Sequence, residues 1–165
     1  MTREQVVERA RSAIGHGCIY ALGRGGFSPK NQWPWNSKLE CDCSGFTSWA
    51  IGFSRKTDHP FYRSVNGGWL ETSAMVKDAN STFGMFDLVP WTAALPGHFV
   101  VYGDAGGGQG HVGIVSEINL LAGPAKAIHC ASGAYRRNGD AIAETEIGGF
   151  RAHGAIIARC ALVEG

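Results

Sequence analysis

The chain has 165 residues, 44% of them hydrophobic and 18% charged, with a formal net charge of +1. This composition excludes a disordered chain and suits one domain, residues 1–165, with a sizeable core. A charge so near zero gives no nucleic-acid footprint, and no stretch approaches the roughly 20 apolar residues of a membrane span.

Taken in chain order, Thr2 can cap a first helix running to about Ile14, with Val6, Val7, Ala10, Ala13 and Ile14 on one face. Gly15 and Gly17 stop it. Residues 20–40 carry Gly23, Gly25, Gly26, Pro29 and Pro34 and read as a long loop, a feature that is usually functional in a compact domain. A second helix is expected from near Cys43 to about Phe53. Its Phe46, Trp49, Ala50 and Phe53 form a core-facing stripe. Residues 54–66 read as irregular, and a third helix is expected from about Trp69 to Asp78. The second half changes character. Phe99–Tyr102, His111–Ile118, Ala125–Ala131 and Ala155–Val163 read as strands. The glycine-rich run Gly103–Gly110 leads into a strand and lacks a following Lys-Ser/Thr, so it is a hairpin connection rather than a phosphate loop. Arg136–Asp140 reads as a solvated charged turn. Helices first and strands later favour an α+β fold, N-terminal helices packed on a C-terminal antiparallel sheet.

Five cysteines are present: Cys18, Cys41, Cys43, Cys130 and Cys160. Two bridges and one reactive thiol would suit an oxidising destination, and five thiols a reducing one. If a bridge forms, Cys130–Cys160 is a candidate, since both lie on C-terminal strands.

The segment Cys41-Asp42-Cys43-Ser44-Gly45-Phe46 sets a cysteine where a loop becomes a helix. First-turn N–H groups and the helix dipole stabilise a thiolate there, which lowers the thiol pKa. The same N–H groups can hold a developing oxyanion, and Gly45 leaves room for a carbonyl. Taken alone, Cys43 would be read as a buried structural thiol. His111 opens a strand after the glycine run and could take the thiol proton. His129, on the next strand, could orient that imidazole and fix its tautomer. Each histidine alone would be a core or strand-end residue. His98, after Pro96-Gly97, competes for the role but sits at a strand entrance. Tyr20 either walls a cleft with its hydroxyl or simply packs. Cys41-x-Cys43 lacks the spacing and the second pair of a structural zinc site, so no metal and no cofactor is expected.

Asp42-Cys43-Ser44-Gly45-Phe46, Pro96-Gly97-His98-Phe99-Val100-Val101-Tyr102 and Gly110-His111-Val112-Gly113-Ile114-Val115, with Tyr20-x-x-Gly23 upstream, resemble the motifs of the NlpC/P60 cysteine peptidases in that family's order. The resemblance covers roughly residues 3–131. It implies a papain-like α+β fold, a nucleophile at Cys43, a base at His111 and an orienting His129. It also implies that Tyr20, Asp42 and Ser44 bind the free amine end of a peptidoglycan stem peptide, Asp42 offering its carboxylate to the ammonium group. The implied activity is cleavage of amide bonds in bacterial cell-wall peptides. Three features depart from the family pattern: His98 stands where an aspartate is usual, the stretch 54–95 is insertion-like, and Cys41 adjoins the nucleophile segment.

The start Met1-Thr2-Arg3-Glu4-Gln5 has no apolar leader run, so action in a periplasm or cell wall would follow export by another route. A small single-domain member also resembles injected amidase effectors and phage lysins. That reading implies an immunity or inhibitor protein as partner, and a monomer. Two alternatives stay open: a thiol acyltransferase or an amidase of other substrates, and a catalytically silent wall-binding module.

Overall fold

A computed structural model describes residues 1–164. Helix α1 (Arg3–Ser12) starts at a capping box in which Thr2 Oγ1 accepts from the Gln5 N–H at 3.3 Å and Gln5 Oε1 from the Thr2 N–H at 2.9 Å. Val6, Val7 and Ala10 are its buried face. Strands β1 (Ile19–Tyr20) and β2 (Glu40–Cys41) pair in parallel, Tyr20 opposite Cys41, and so close the long loop at its mouth. Helix α2 (Cys43–Ala50) follows at once. All eight of its residues are buried, which makes it the central helix. It ends at Ala50, with Ile51 as its cap before Gly52 at φ +74°, three residues short of the expected Phe53.

The stretch read as irregular contains a helix, α3 (Pro60–Asn66), with proline at its start and Gly67 at φ +73° as its stop. Helix α4 (Thr72–Ala79) begins later than expected because Glu71 caps it, its carboxylate accepting from the Ser73 and Ala74 N–H groups.

Six strands then form one antiparallel sheet: β3 (Phe86–Val89), β4 (Phe99–Tyr102), β5 (His111–Asn119), β6 (Gly123–Cys130), β7 (Ile142–Glu146) and β8 (Ile156–Cys160), in the order β3-β8-β4-β5-β6-β7. The fold is therefore mixed α+β. Strands β3 and β7 were not legible in the sequence. Of the segment read as a solvated charged turn, Arg136–Asn138 end helix α5 (Ser132–Asn138), Gly139 closes it at φ +72°, and Asp140 is buried, accepting from the Gly15, His16 and Cys18 N–H groups; α6 (Gly148–Ala152) lies between β7 and β8. One core joins α1, α2 and α4 to one sheet face, with Phe46, Trp49, Phe86, Phe99, Ile114 and Ile128 at its centre. A smaller core on the other face holds Val100, Val115, Ile147, Phe150 and Ile157.

The topology overturns the Cys130–Cys160 pairing. Strands β6 and β8 have β5 and β4 between them. Three strand spacings come to about 14 Å, well beyond the ~7 Å Cα separation a disulfide tolerates. All five cysteines are free thiols. No helix among the described residues is long and apolar enough to cross a membrane.

Candidate active site

Asp42 is the N-cap of α2, and Cys43 is the first helical residue. Strand β5 begins at His111, opposite Tyr102 of β4. It pairs with β6 through Ile114 and Ile128, a register that sets His111 and His129 diagonally on one sheet face. His111 Nε2 lies 2.7 Å from His129 Nδ1, and His129 Nε2 lies 2.8 Å from Thr145 Oγ1 on β7. The two imidazoles meet edge to face, and the Phe150 ring stacks on His111 at 5.2 Å. Gly113, between the histidines, is what admits this packing. A Cβ there would stand 3.1 Å from His129 Cβ and 3.0 Å from Phe150 Cζ.

The Cys43 thiol sits against the backbone N–H of Val112, the residue after His111, and against the N–H of Ser44. Helix α2 thus brings the sulfur to the start of the histidine-bearing strand. His111 and His129 meet as the sequence suggests, while Cys43 borders a different cavity from the one the two histidines line. His98 does not join them. It borders a separate cavity with Arg3, Asp87 and Arg159, and its Nδ1 accepts from the Leu95 N–H at 3.2 Å.

The site lies where two cavities adjoin. A cleft of about 310 Å³ is lined by Tyr20, Tyr102, His111, His129, Thr145 and Phe150, among others. A smaller one of about 150 Å³ is lined by Asp42, Cys43, Ser44, Arg55 and Glu71, among others. Gln109 and Gly110 border both. Asp104 fixes that corner, its carboxylate accepting from the Gly110 N–H.

Burial governs the protonation states. It pushes His111 down to about 3 and His129 down to about 4, the neighbouring His129 adding to the effect on His111. Cys43 departs from the sequence expectation of a lowered pKa. Burial, and then the Asp42 carboxylate, push the thiol up to about 12, outweighing the amides of Val112 and Ser44 and the Arg55 charge that pull it down. At neutral pH these groups are therefore a thiol and two neutral imidazoles. Tyr20 and Tyr102 are raised as well, by burial first and by Cys43 next.

Two further expectations change. Asp42 is not an open carboxylate. Its Oδ1 accepts from the Gly45 N–H at 2.8 Å and from Ser44 Oγ at 3.2 Å, and its Oδ2 from the Gly23 N–H at 2.6 Å and from Arg55 Nη2 at 2.5 Å. Arg55 also reaches Ser44 Oγ at 3.0 Å and the Arg24 carbonyl at 2.7 Å, so a guanidinium already fills the cation position beside Asp42. Gly45, for its part, makes room for the chain and not for a ligand. A Cβ there would come within 2.5 Å of the Arg24 carbonyl oxygen and 3.0 Å of Gly25 C.

Arg55 and Thr145 are the site residues that sequence reasoning missed. Thr145 reaches His129 only through the β6–β7 pairing, and Arg55 reaches Asp42 from a segment read as irregular. Among the described residues no group of three or more His, Cys, Asp or Glu side chains is arranged to hold a metal ion. No family model matches the chain, and no curated protein matches it.

Proposed function

We propose that this chain is a cysteine hydrolase with a papain-like NlpC/P60 fold that cleaves an amide bond in peptidoglycan stem peptides through a thioester on Cys43. The observation that carries the reading is the line His111–His129–Thr145, in hydrogen-bond contact throughout, beginning one residue from the amide against which the Cys43 thiol rests. The substrate class comes from the motif resemblance.

The neutral histidine pair can run in two directions. In the one a base requires, His129 donates from Nε2 to Thr145 Oγ1, and His111 donates from Nε2 to His129 Nδ1. That leaves His111 Nδ1 bare to accept the thiol proton. The sulfur then bonds to the substrate carbonyl carbon, and the oxyanion is held by the first-turn amides of α2 that the Asp42 cap does not take, those of Cys43 and Ser44. Collapse breaks the C–N bond, and His111 returns the proton to the leaving amine. A water, losing its proton to His111, attacks the thioester. The C–S bond breaks, the acid product leaves, and the proton returns to sulfur. With the resting thiol protonated and His111 uncharged, transfer and attack are coupled once substrate is bound.

The protonated resting thiol also favours a second reading, a silent binding module that keeps the cleft for recognition. Digestion of purified peptidoglycan with product masses separates the two. Hydrolysis predicts stem-peptide fragments from the wild type and none from Cys43→Ala. Full activity in that variant, or no product from the wild type, sinks the assignment.

A further inference from the structure

The thiols that the proposed chemistry does not use gather at one place. Cys18, Cys41 and Cys130 are free and wholly buried, and the segments that carry them are joined by hydrogen bonds and strand pairing. Backbone contacts fix the grouping. Cys130 Sγ donates to the Cys41 carbonyl at 3.4 Å. The Cys18 carbonyl accepts from the Ala141 N–H at 2.7 Å, and the Ala141 carbonyl accepts from the N–H of Ala131, the neighbour of Cys130. Cys160 lies across the sheet, and Cys43 borders the small cavity.

Each of the three thiols adjoins a site residue. Cys18 is two residues before Tyr20, Cys41 two before Cys43, and Cys130 directly after His129. A covalent link among them would tie the strand that leads into α2 to the histidine-bearing sheet or to the tyrosine-bearing strand.

We propose that Cys18, Cys41 and Cys130 are a disulfide-forming site, carrying one bridge per chain drawn from these three. Two thiols lose two protons and two electrons to form the S–S bond. A disulfide oxidant such as glutathione disulfide takes up both and leaves as two glutathione thiols. Because all three sulfurs are shut off from solvent, the bond forms as the chain folds and is then shielded from reductants. Only one bridge fits here, and Cys160 has no cysteine partner within reach, so the arrangement of two bridges is excluded.

The test uses the full chain refolded in a glutathione redox buffer, denatured in N-ethylmaleimide, weighed and mapped. The expected result is three adducts in place of the five available thiols, with a cross-link joining two of the segments around 18, 41 and 130. Cys18→Ala and Cys130→Ala each still form one bridge from the remaining pair, and the double variant forms none. Dithiothreitol lowers the Tm of the oxidised wild type by about 10 °C, the size expected for opening a long loop in a chain of this length. Five adducts after oxidative refolding, a cross-link through Cys43 or Cys160, or an unchanged Tm on reduction of the mapped bridge would overturn the proposal. The mass and map of the wild type decide the matter even if a variant fails to fold. No readout depends on amide hydrolysis, so this proposal and the hydrolase reading fail separately.

Discussion

His111 and His129 share a 2.7 Å hydrogen bond between Nε2 of the first and Nδ1 of the second, though eighteen residues separate them in the chain. The bond fixes which nitrogen of His111 remains free. In the proposed mechanism Nδ1 is the nitrogen that takes the thiol proton, and Gly113 leaves room for the packing of His129 and Phe150.

Cys43 and His111 are the nucleophile and base of the proposed reaction. Cys43→Ala and His111→Ala each lower release of stem-peptide fragments by about 10³-fold or more, the scale of losing a nucleophile or its base. Circular dichroism checks that the fold survives, and chromatography with mass detection reads the fragments.

In the proposed mechanism Thr145, which bonds His129, is a positioning residue. Thr145→Val is expected to lower kcat by about tenfold with little change in KM, and Thr145→Ser to restore it, on the scale seen for groups that orient a catalytic or ligating histidine. Loss of KM alone, or no rescue by serine, would show that the hydroxyl only fills space.

The depressed histidines set a pH dependence of stability. His111 falls to about 3 and His129 to about 4 in the fold, against an unfolded value near 6.5. Above pH 6.5 both states are neutral there and nothing is lost. Below it the unfolded chain takes up protons that the fold refuses. Stability therefore drops from pH 6.5 down to pH 3–4, by up to about 1.4 kcal/mol per pH unit for each histidine. His98, also pushed down to about 4, adds a share comparable to that of His129. Urea titrations at pH 7, 5.5 and 4.5 measure the slope, and His129→Gln should flatten it. A wild-type stability that holds steady over this range would contradict the burial assigned to the pair.

Asp42 and Arg55 form a buried ion pair, with side-chain exposures of 1% and 13%. Asp42→Ala removes the α2 cap and strands the guanidinium, at a cost of about 3 kcal/mol or more. Arg55→Met in the same chain should recover at least about 1 kcal/mol of that, because the uncompensated charge goes with it. Denaturant midpoints for the two single variants and the double variant give the coupling. A loss below about 0.5 kcal/mol for Asp42→Ala would mean the pair is solvated.

Local rules in the sequence determined a good part of this protein. The Thr2 cap, the start of α2 at Cys43 and the strand Phe99–Tyr102 stand where alternation, capping and helical periodicity put them. The order of helices and then strands gave the α+β class. The short elements escaped that reading. Strand β3 (Phe86–Val89) is interrupted by Asp87 and β7 (Ile142–Glu146) carries two glutamates, so neither shows the apolar run that marks Phe99–Tyr102. Helix α5 hides in a run of charges because only Ala134 on it is buried.

What only the tertiary structure decided is who meets whom, and in what dielectric. Register across β5, β6 and β7 brings His111, His129 and Thr145 into line, and no local pattern encodes a partner that far along the chain. The sequence pointed to a helix N-terminus that lowers the Cys43 pKa. Burial among α2, β5 and β6 raises it instead, because removing water from a sulfur anion costs more than two amides return. The Arg55 charge on Asp42 and the meeting of Cys18, Cys41 and Cys130 have the same origin. Contacts between distant segments follow from how faces pack, which a linear sequence specifies only through the whole fold.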